Sequence, residues 1–383
     1  MKSTSLDTFQ SLFLALFVVS GMIKGSVAVF NINIPDITLL SFIILLFSIH
    51  YASVKLTRVQ VLIIAFWLVF FAFYALSFVY TPVSDYAKVK FLGLVINTLA
   101  LFILGFLSVD FRKFTVYVAT FSFVCFVFNL IASTLFPIDF AGDKLKGAYL
   151  TVGLFLGFST LLLEKEGYRK LAVLFLLLIL FLGARGPFLF TLICYLGLKL
   201  TKFDISYIFR GTIVLKLILY FTLLFIISAG LYLNFDFVTE GIDRAIFRLT
   251  LLFESEDKGE SVSQRIYFLK VAMEMWSANT WFGSGMGSFS FYAFGDDFRA
   301  FPHNVFLEIF SEAGIIPGTI FLFLFCSVLV YCYIKSYWNV FFITVYCILN
   351  ISKSSAFEDI RFVFVFVFLF LFDLIKLESN SRS

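Results

Sequence analysis

Charge and histidine are what this sequence has least of. Only 14% of its 383 residues are Asp, Glu, Lys or Arg, and two are histidine. The net charge of +4 is small and no basic run concentrates it, so nothing suggests a nucleic-acid partner. Five cysteines, Cys125, Cys194, Cys326, Cys332 and Cys347, fall at odd spacing inside apolar runs. They read as small buried hydrophobes and not as disulfides, metal ligands or nucleophiles. A phosphate-binding loop of the Gly-x-x-x-x-Gly-Lys type is missing, so ATP is not expected. No internal repeat is visible, which leaves the inverted-repeat transporter pattern without support.

Apolar surface is what the chain does have. It is 61% hydrophobic, holds 57 phenylalanines, and has a mean hydropathy of +1.01. No soluble fold needs that, so the expected class is an all-α integral membrane protein. A cleaved signal peptide is not expected, because residues 9–29 begin a train of spans. With about 20 apolar residues per span, helices are predicted near 8–29, 33–51, 59–79, 91–109, 114–136, 147–164, 170–184, 187–201, 213–234, 315–334, 337–352 and 360–376. That gives about twelve transmembrane helices. The short seventh and eighth flank a tight "GARGP" turn. The organisation is therefore 1–234 with helices 1–9, a large outer loop with a re-entrant segment at 235–314, and 315–383 with helices 10–12 and a tail.

Sidedness follows from Lys and Arg in short loops. Fifteen of the 29 fall in one alternate set, which includes Lys55, Arg58, Arg112, Lys113, Lys199 and Lys335, and this places both termini in the cytoplasm. Lys88, Lys90, Lys144 and Lys146 count against that orientation. The mildly acidic loop at 235–302, the turn holding Arg185, and the segment around His303 then share the outer face.

Four stretches carry polar side chains that apolar packing does not explain. "FLGARGPFLF" sets Arg185 at a turn between two hydrophobic helices, where a guanidinium needs an anion or water. It reads as an interfacial anchor or as a bidentate phosphate ligand. In "SVSQRIYFLKVAMEMW", Ser261 and Gln264 have capping-box spacing. Val262, Ile266, Leu269, Met273 and Trp276 then form an apolar face, with Arg265 about 60° from its centre. Arg265 at a helix start suits an anion, or it pairs with Glu260 or Glu254. "WFGSGMGSFSFYAFGDDF" offers Gly283, Gly285 and Gly287 for tight turns and close backbone approach, but it is no nucleotide fingerprint. Its aromatics could stack on sugars or rest at the interface. Asp296 and Asp297 are candidates to accept hydrogen bonds from hydroxyls.

The fourth stretch is "FPHNVFLEIFSEAGIIPG", residues 301–318. A helix can start at His303 after Pro302, with Asn304, Glu308 and Ser311 or Glu312 along one stripe. The segment is expected to dip toward the bilayer, turn at Gly314 and feed the tenth span, which is tolerated where backbone lines a wet cavity. His303 would stand at the mouth, free to titrate near neutral pH. Glu308 and Glu312 could orient neighbouring groups or brace the loop, and bracing is the better reading. His50 falls on the other side and reads as an interface residue.

These stretches together, "SQRIYFLKVAMEMW…WFGSGMGSF…FPHNVFLEIFSEAGIIPG", resemble the core of the O-antigen polymerase and O-antigen ligase superfamily. The shared pattern is an arginine helix, a Gly-x-Gly-x-Gly stretch, then His303-Asn304 followed by nine residues and Gly314. "GARGPFLF" resembles the family's short arginine turn and puts Arg185 in register. The chain departs from the pattern at Pro317, with Gly318 one place late, which puts the local turn in doubt more than the chemistry. The strong similarity covers residues 261–318.

The resemblance implies an inner-membrane glycosyltransferase with a GT-C-like architecture and a periplasmic active site. Its donor would be a glycan linked through pyrophosphate to undecaprenol. Arg185 and Arg265 would stabilise the leaving diphosphate, and His303 would take the proton of the attacking hydroxyl. Asn304, Glu308, Asp296 and Asp297 would contact substrate. No cofactor or metal is expected, although Asp296 and Asp297 could hold Mg²⁺. Partners would be the bilayer, lipid-linked donor and acceptor, and, as candidates, a chain-length regulator and a flippase. The pattern leans toward a polymerase of O-antigen or capsular repeat units. The alternative is a ligase that moves glycan onto lipid A–core, and the third reading is a carrier for the same glycolipid.

Overall fold

A computed structural model describes residues 2–51, 56–135, 138–201 and 260–381. The predicted span at 213–234, the first part of the outer loop, Lys144, Lys146 and the partners suggested for Arg265 lie outside the residues whose side chains are described. Among the described residues every regular element is helical.

The first eight helices are α1 (Lys2–Ala28), α2 (Ile37–Ser48), α3 (Arg58–Leu76), α4 (Asp85–Leu104), α5 (Phe111–Leu135), α6 (Ile138–Lys165), α7 (Arg169–Leu182) and α8 (Arg185–Thr201). After the undescribed stretch come α9 (Glu260–Ala278), α10 (Phe289–Phe294), α11 (Val305–Ala313), α12 (Ile315–Ile334), α13 (Trp338–Ile351) and α14 (Arg361–Ser381). Six of these are long and apolar enough to cross a membrane: the runs within α1, α3, α4, α5, α6 and α12.

Local sequence explains the boundaries. Thr57 and Gln60 close a capping box at the start of α3, and the Asp36 carboxylate accepts from Thr38 and Leu39 N–H at the start of α2. Gly183, at φ +70°, ends α7 in the left-handed conformation, so the chain can reverse within two residues and begin α8 at Arg185.

The centre of the bundle is α14. Its run from Phe362 to Phe372 is at most 4% exposed, so the helix is apolar on every side because protein surrounds it on every side. Trp67 meets Phe364 at 4.6 Å, and Phe158 stacks on Phe366 at 4.1 Å. In hydrocarbon these contacts stabilise through packing and not through escape from water. Leu62, Leu92, Phe323 and Ile334 are exposed, as lipid-facing side chains should be.

Contacts sort the helix termini onto two ends. At one end Gln10 meets Ser48, Gln60 meets Phe372 and Lys199 meets Glu164. At the other, Ser77 and Thr81 after α3, the start of α4 and residues 357–359 before α14 meet the segment 283–299 or α11. His50, in a short 3₁₀ turn after α2, belongs to the first end.

The expected face of α9 needs correction. Phe268, Val271, Ala272 and Met275 are buried, whereas Ile266 and Met273 are 50% and 58% exposed. Both stripes are apolar, so periodicity could not choose between them. Packing against Phe289 and Ala300 does.

Candidate active site

Asn304 and not His303 opens the short helix α11. Its side-chain oxygen accepts from the Leu307 N–H at 3.0 Å, which is the work of an N-cap. His303 therefore precedes the cap, in the left-handed region at φ +59°.

The imidazole lies among rings. Phe268 of α9 stacks on it at 5.9 Å and 14°, and Phe301 meets it edge-on at 4.6 Å. Burial, and then the charge of Arg265, push the histidine down to about 4. The ring is accordingly neutral at pH 7, and the expected titration near neutrality is corrected: a half-buried aromatic surround beside a guanidinium disfavours imidazolium.

The Arg265 guanidinium also acts on Lys353, in the turn after α13, and so does Arg185. The Lys353 ammonium lies over the Phe190 ring of α8 at 5.4 Å. It is pressed so close to Gly186 that a β-carbon there would come within 2.5 Å of Nζ. The sequence motifs did not single out Lys353. Its signal was its place on the same side as Arg185, after a span. Arg185, Arg265, His303 and Lys353 thus come from four separate stretches and share one end of the bundle.

Behind the histidine, α11 is anchored by a buried ionic cluster. Lys90 of α4 pairs with Glu308, and with Glu312 at 2.5 Å; all three side chains are fully buried. Tyr74 of α3 donates to Glu312 Oε2 at 2.9 Å, and Glu308 Oε2 accepts from the Phe357 N–H at 3.1 Å. Buried charges persist only when paired and hydrogen-bonded in this way. Glu308 is therefore placed as a brace, the role the sequence reading preferred for it. Lys90 likewise belongs to a helix and not to the loop in which its charge was counted, because α4 begins at Asp85.

Asp297 is also committed elsewhere. Its carboxylate accepts from the backbone N–H groups of Ser84, Asp85 and Tyr86 at 2.8–3.2 Å and so caps α4 from a distant loop. These bonds, with that of Asp85 foremost, hold its carboxyl below the usual range. Asp296 beside it is exposed.

The glycine stretch supplies close approach, as its spacing suggested. Ser284 and Gly285 N–H donate to the Ser311 and Glu312 carbonyls, and Met286 N–H donates to Ser77. Gly285, at φ +100°, lies against the Thr81 backbone, where a β-carbon would come within 2.5 Å of Cα. Among the described residues no three His, Cys, Asp or Glu side chains are grouped to hold a metal.

Neither a curated protein nor a solved structure matches the chain. Residues 171–323 match a family model described as O-antigen ligase, and the match takes in Arg185, Arg265 and His303. The family indicates an enzyme of glycosyl transfer that takes lipid-linked sugars in a membrane. The match covers less than half of the chain, and within residues 171–323 it supports the resemblance to the O-antigen polymerase and ligase superfamily.

Proposed function

We propose that this protein polymerises undecaprenyl-diphosphate-linked O-antigen or capsular repeat units on the periplasmic side of the inner membrane. An acceptor-sugar hydroxyl oxygen attacks the anomeric carbon of the donor. The bond from that carbon to the diphosphate oxygen breaks, and its electron pair leaves with undecaprenyl diphosphate. His303 takes the hydroxyl proton, and Arg185 and Arg265 meet the charge that gathers on the leaving group.

The observation that carries this reading is a neutral imidazole next to a guanidinium. Burial, and then the charge of Arg265, hold His303 down to about 4, so the ring is a proton acceptor at physiological pH while the guanidinium faces an incoming anion. A protonated histidine would serve as an extra cation and leave the hydroxyl without a base. Transfer of finished glycan to lipid A–core uses the same bond changes and is the second reading, which the matched family accommodates equally.

Purified protein supplied with a defined lipid-linked repeat unit tests the proposal. Elongation without ATP, and unchanged by a chelator, is expected. His303→Ala, Arg265→Ala and Arg185→Ala should each cut turnover by about 10² or more while the protein still inserts. Wild-type ladders in all three variants would refute the site. Deletion separates the two branches: a polymerase mutant leaves core plus one repeat unit, and a ligase mutant leaves bare core with polymer retained on the lipid carrier.

A further inference from the structure

The turn after α13 carries a charge that the reading so far does not use. Lys353 lies outside residues 171–323, so the family match says nothing about it. Three facts fix its surroundings. Its Nζ lies where a β-carbon on Gly186, the residue after Arg185, would meet it at 2.5 Å. It lies over the Phe190 ring one turn further along α8. Four residues beyond it, the Phe357 N–H is held by Glu308 of α11, the helix that follows His303.

Among the described residues, the charged groups that act on Lys353 are Arg265 from α9 and Arg185 from α8. The acidic residues nearest in the chain, Glu358 and Asp359, are taken up by Arg299. Among the described residues no carboxylate pairs with the Lys353 ammonium. Arg265 and Arg185 each disfavour the charged form of Lys353, and an anion of more than one charge entering beside the ammonium would favour it.

We propose that Lys353 is a third cation for the leaving diphosphate, completing with Arg185 and Arg265 a pocket for a pyrophosphate group. This rests on the glycosyl-transfer reading and adds a binding residue to it. A lysine in this position differs from the two arginines in one useful respect: it can lose its proton. Burial, followed by the charges of Arg265 and Arg185, lowers its pKa from the ordinary value. Anion affinity therefore falls as pH rises through that lowered value, because the ammonium becomes an amine.

The experiment uses the full chain in detergent, with inorganic pyrophosphate as binding probe and a lipid-linked repeat unit as substrate. Lys353→Met should weaken pyrophosphate binding at least tenfold and lower kcat/KM at least a hundredfold, with the melting midpoint kept. Lys353→Arg should bind within about tenfold of wild type and lose the wild-type fall in affinity at alkaline pH. Gly186→Ala, whose new methyl group displaces the ammonium, should weaken binding in the wild type and add nothing in the Lys353→Met background. Wild-type affinity and an unchanged pH profile in Lys353→Met would overturn the inference, as would a loss of melting midpoint with binding intact. If wild type binds pyrophosphate through Lys353 but never elongates a glycan, the pocket stands and the polymerase reading falls.

Discussion

At position 303 the backbone carries a cost of its own. A non-glycine residue at φ +59° is uncommon, and it persists here because Phe268, Phe301 and the Asn304 cap fix both neighbours of the bond. The same packing sets the acidity. The chain has two histidines, so His50→Gln leaves a single imidazole to follow by NMR. A midpoint near 4 is expected, rising toward the ordinary value in Arg265→Gln, since removing a cation favours imidazolium. A midpoint between 6 and 7 in the parent would contradict the half-buried site (roughly the unperturbed range). The linkage has a definite sign: with the folded value depressed, stability is full above the ordinary histidine value and is lost as pH falls toward 4. Sequence made His303 and Arg265 legible because each stands beside recognisable spacing. It could not show the neutral ring, which depends on phenylalanines 35 residues upstream in the case of Phe268. Lys353 was harder still, since a lone lysine after a span is ordinarily an interface anchor.

The elements fell where length and hydropathy put them when they were long. The expectation of 315–334 coincides with α12, and that of 59–79 overlaps α3 closely. Where the chain was polar, the boundary moved. The fourth span was expected to start at 91, yet α4 begins at Asp85 and draws Lys90 inside, because Glu308 and Glu312 meet it there. No window of hydropathy can anticipate a lysine whose partners lie more than 200 residues away. That cluster gives a stability prediction. Lys90→Met strands two buried carboxylates and should cost about 3–5 kcal/mol, read as an earlier thermal midpoint in detergent. Adding Glu308→Gln and Glu312→Gln should recover most of the loss, since neutral side chains can remain buried at modest cost. A single variant as robust as wild type would show that the cluster does not hold α11 in place. The misread face of α9 has a different origin: its apolar residues cover most of the circumference, and only the neighbours at Phe289 and Ala300 decide which side is covered.

For the molecule as a whole, composition was sufficient for class, and the described helices run back and forth between two chemically different ends. Gln10, Ser48, Gln60 and Glu164 mark one, and Arg185, Arg265, His303 and Lys353 mark the other. Both α1 at its start and α14 at its finish belong to the first, so the termini and the site are separated by the thickness of the bundle. The proposed orientation can be checked with single cysteines in a background freed of the five native ones. A cysteine at exposed Ser354 should react in intact cells with a membrane-impermeant maleimide, and one at exposed Lys170 should react only after lysis. The reverse pattern would invert the topology. Concentrating the cations and the base at a single pole has a logistical result. Each sugar block would traverse the oily barrier once, while still small, and the lengthening thread would be spun entirely on the far shore, never needing to be hauled across.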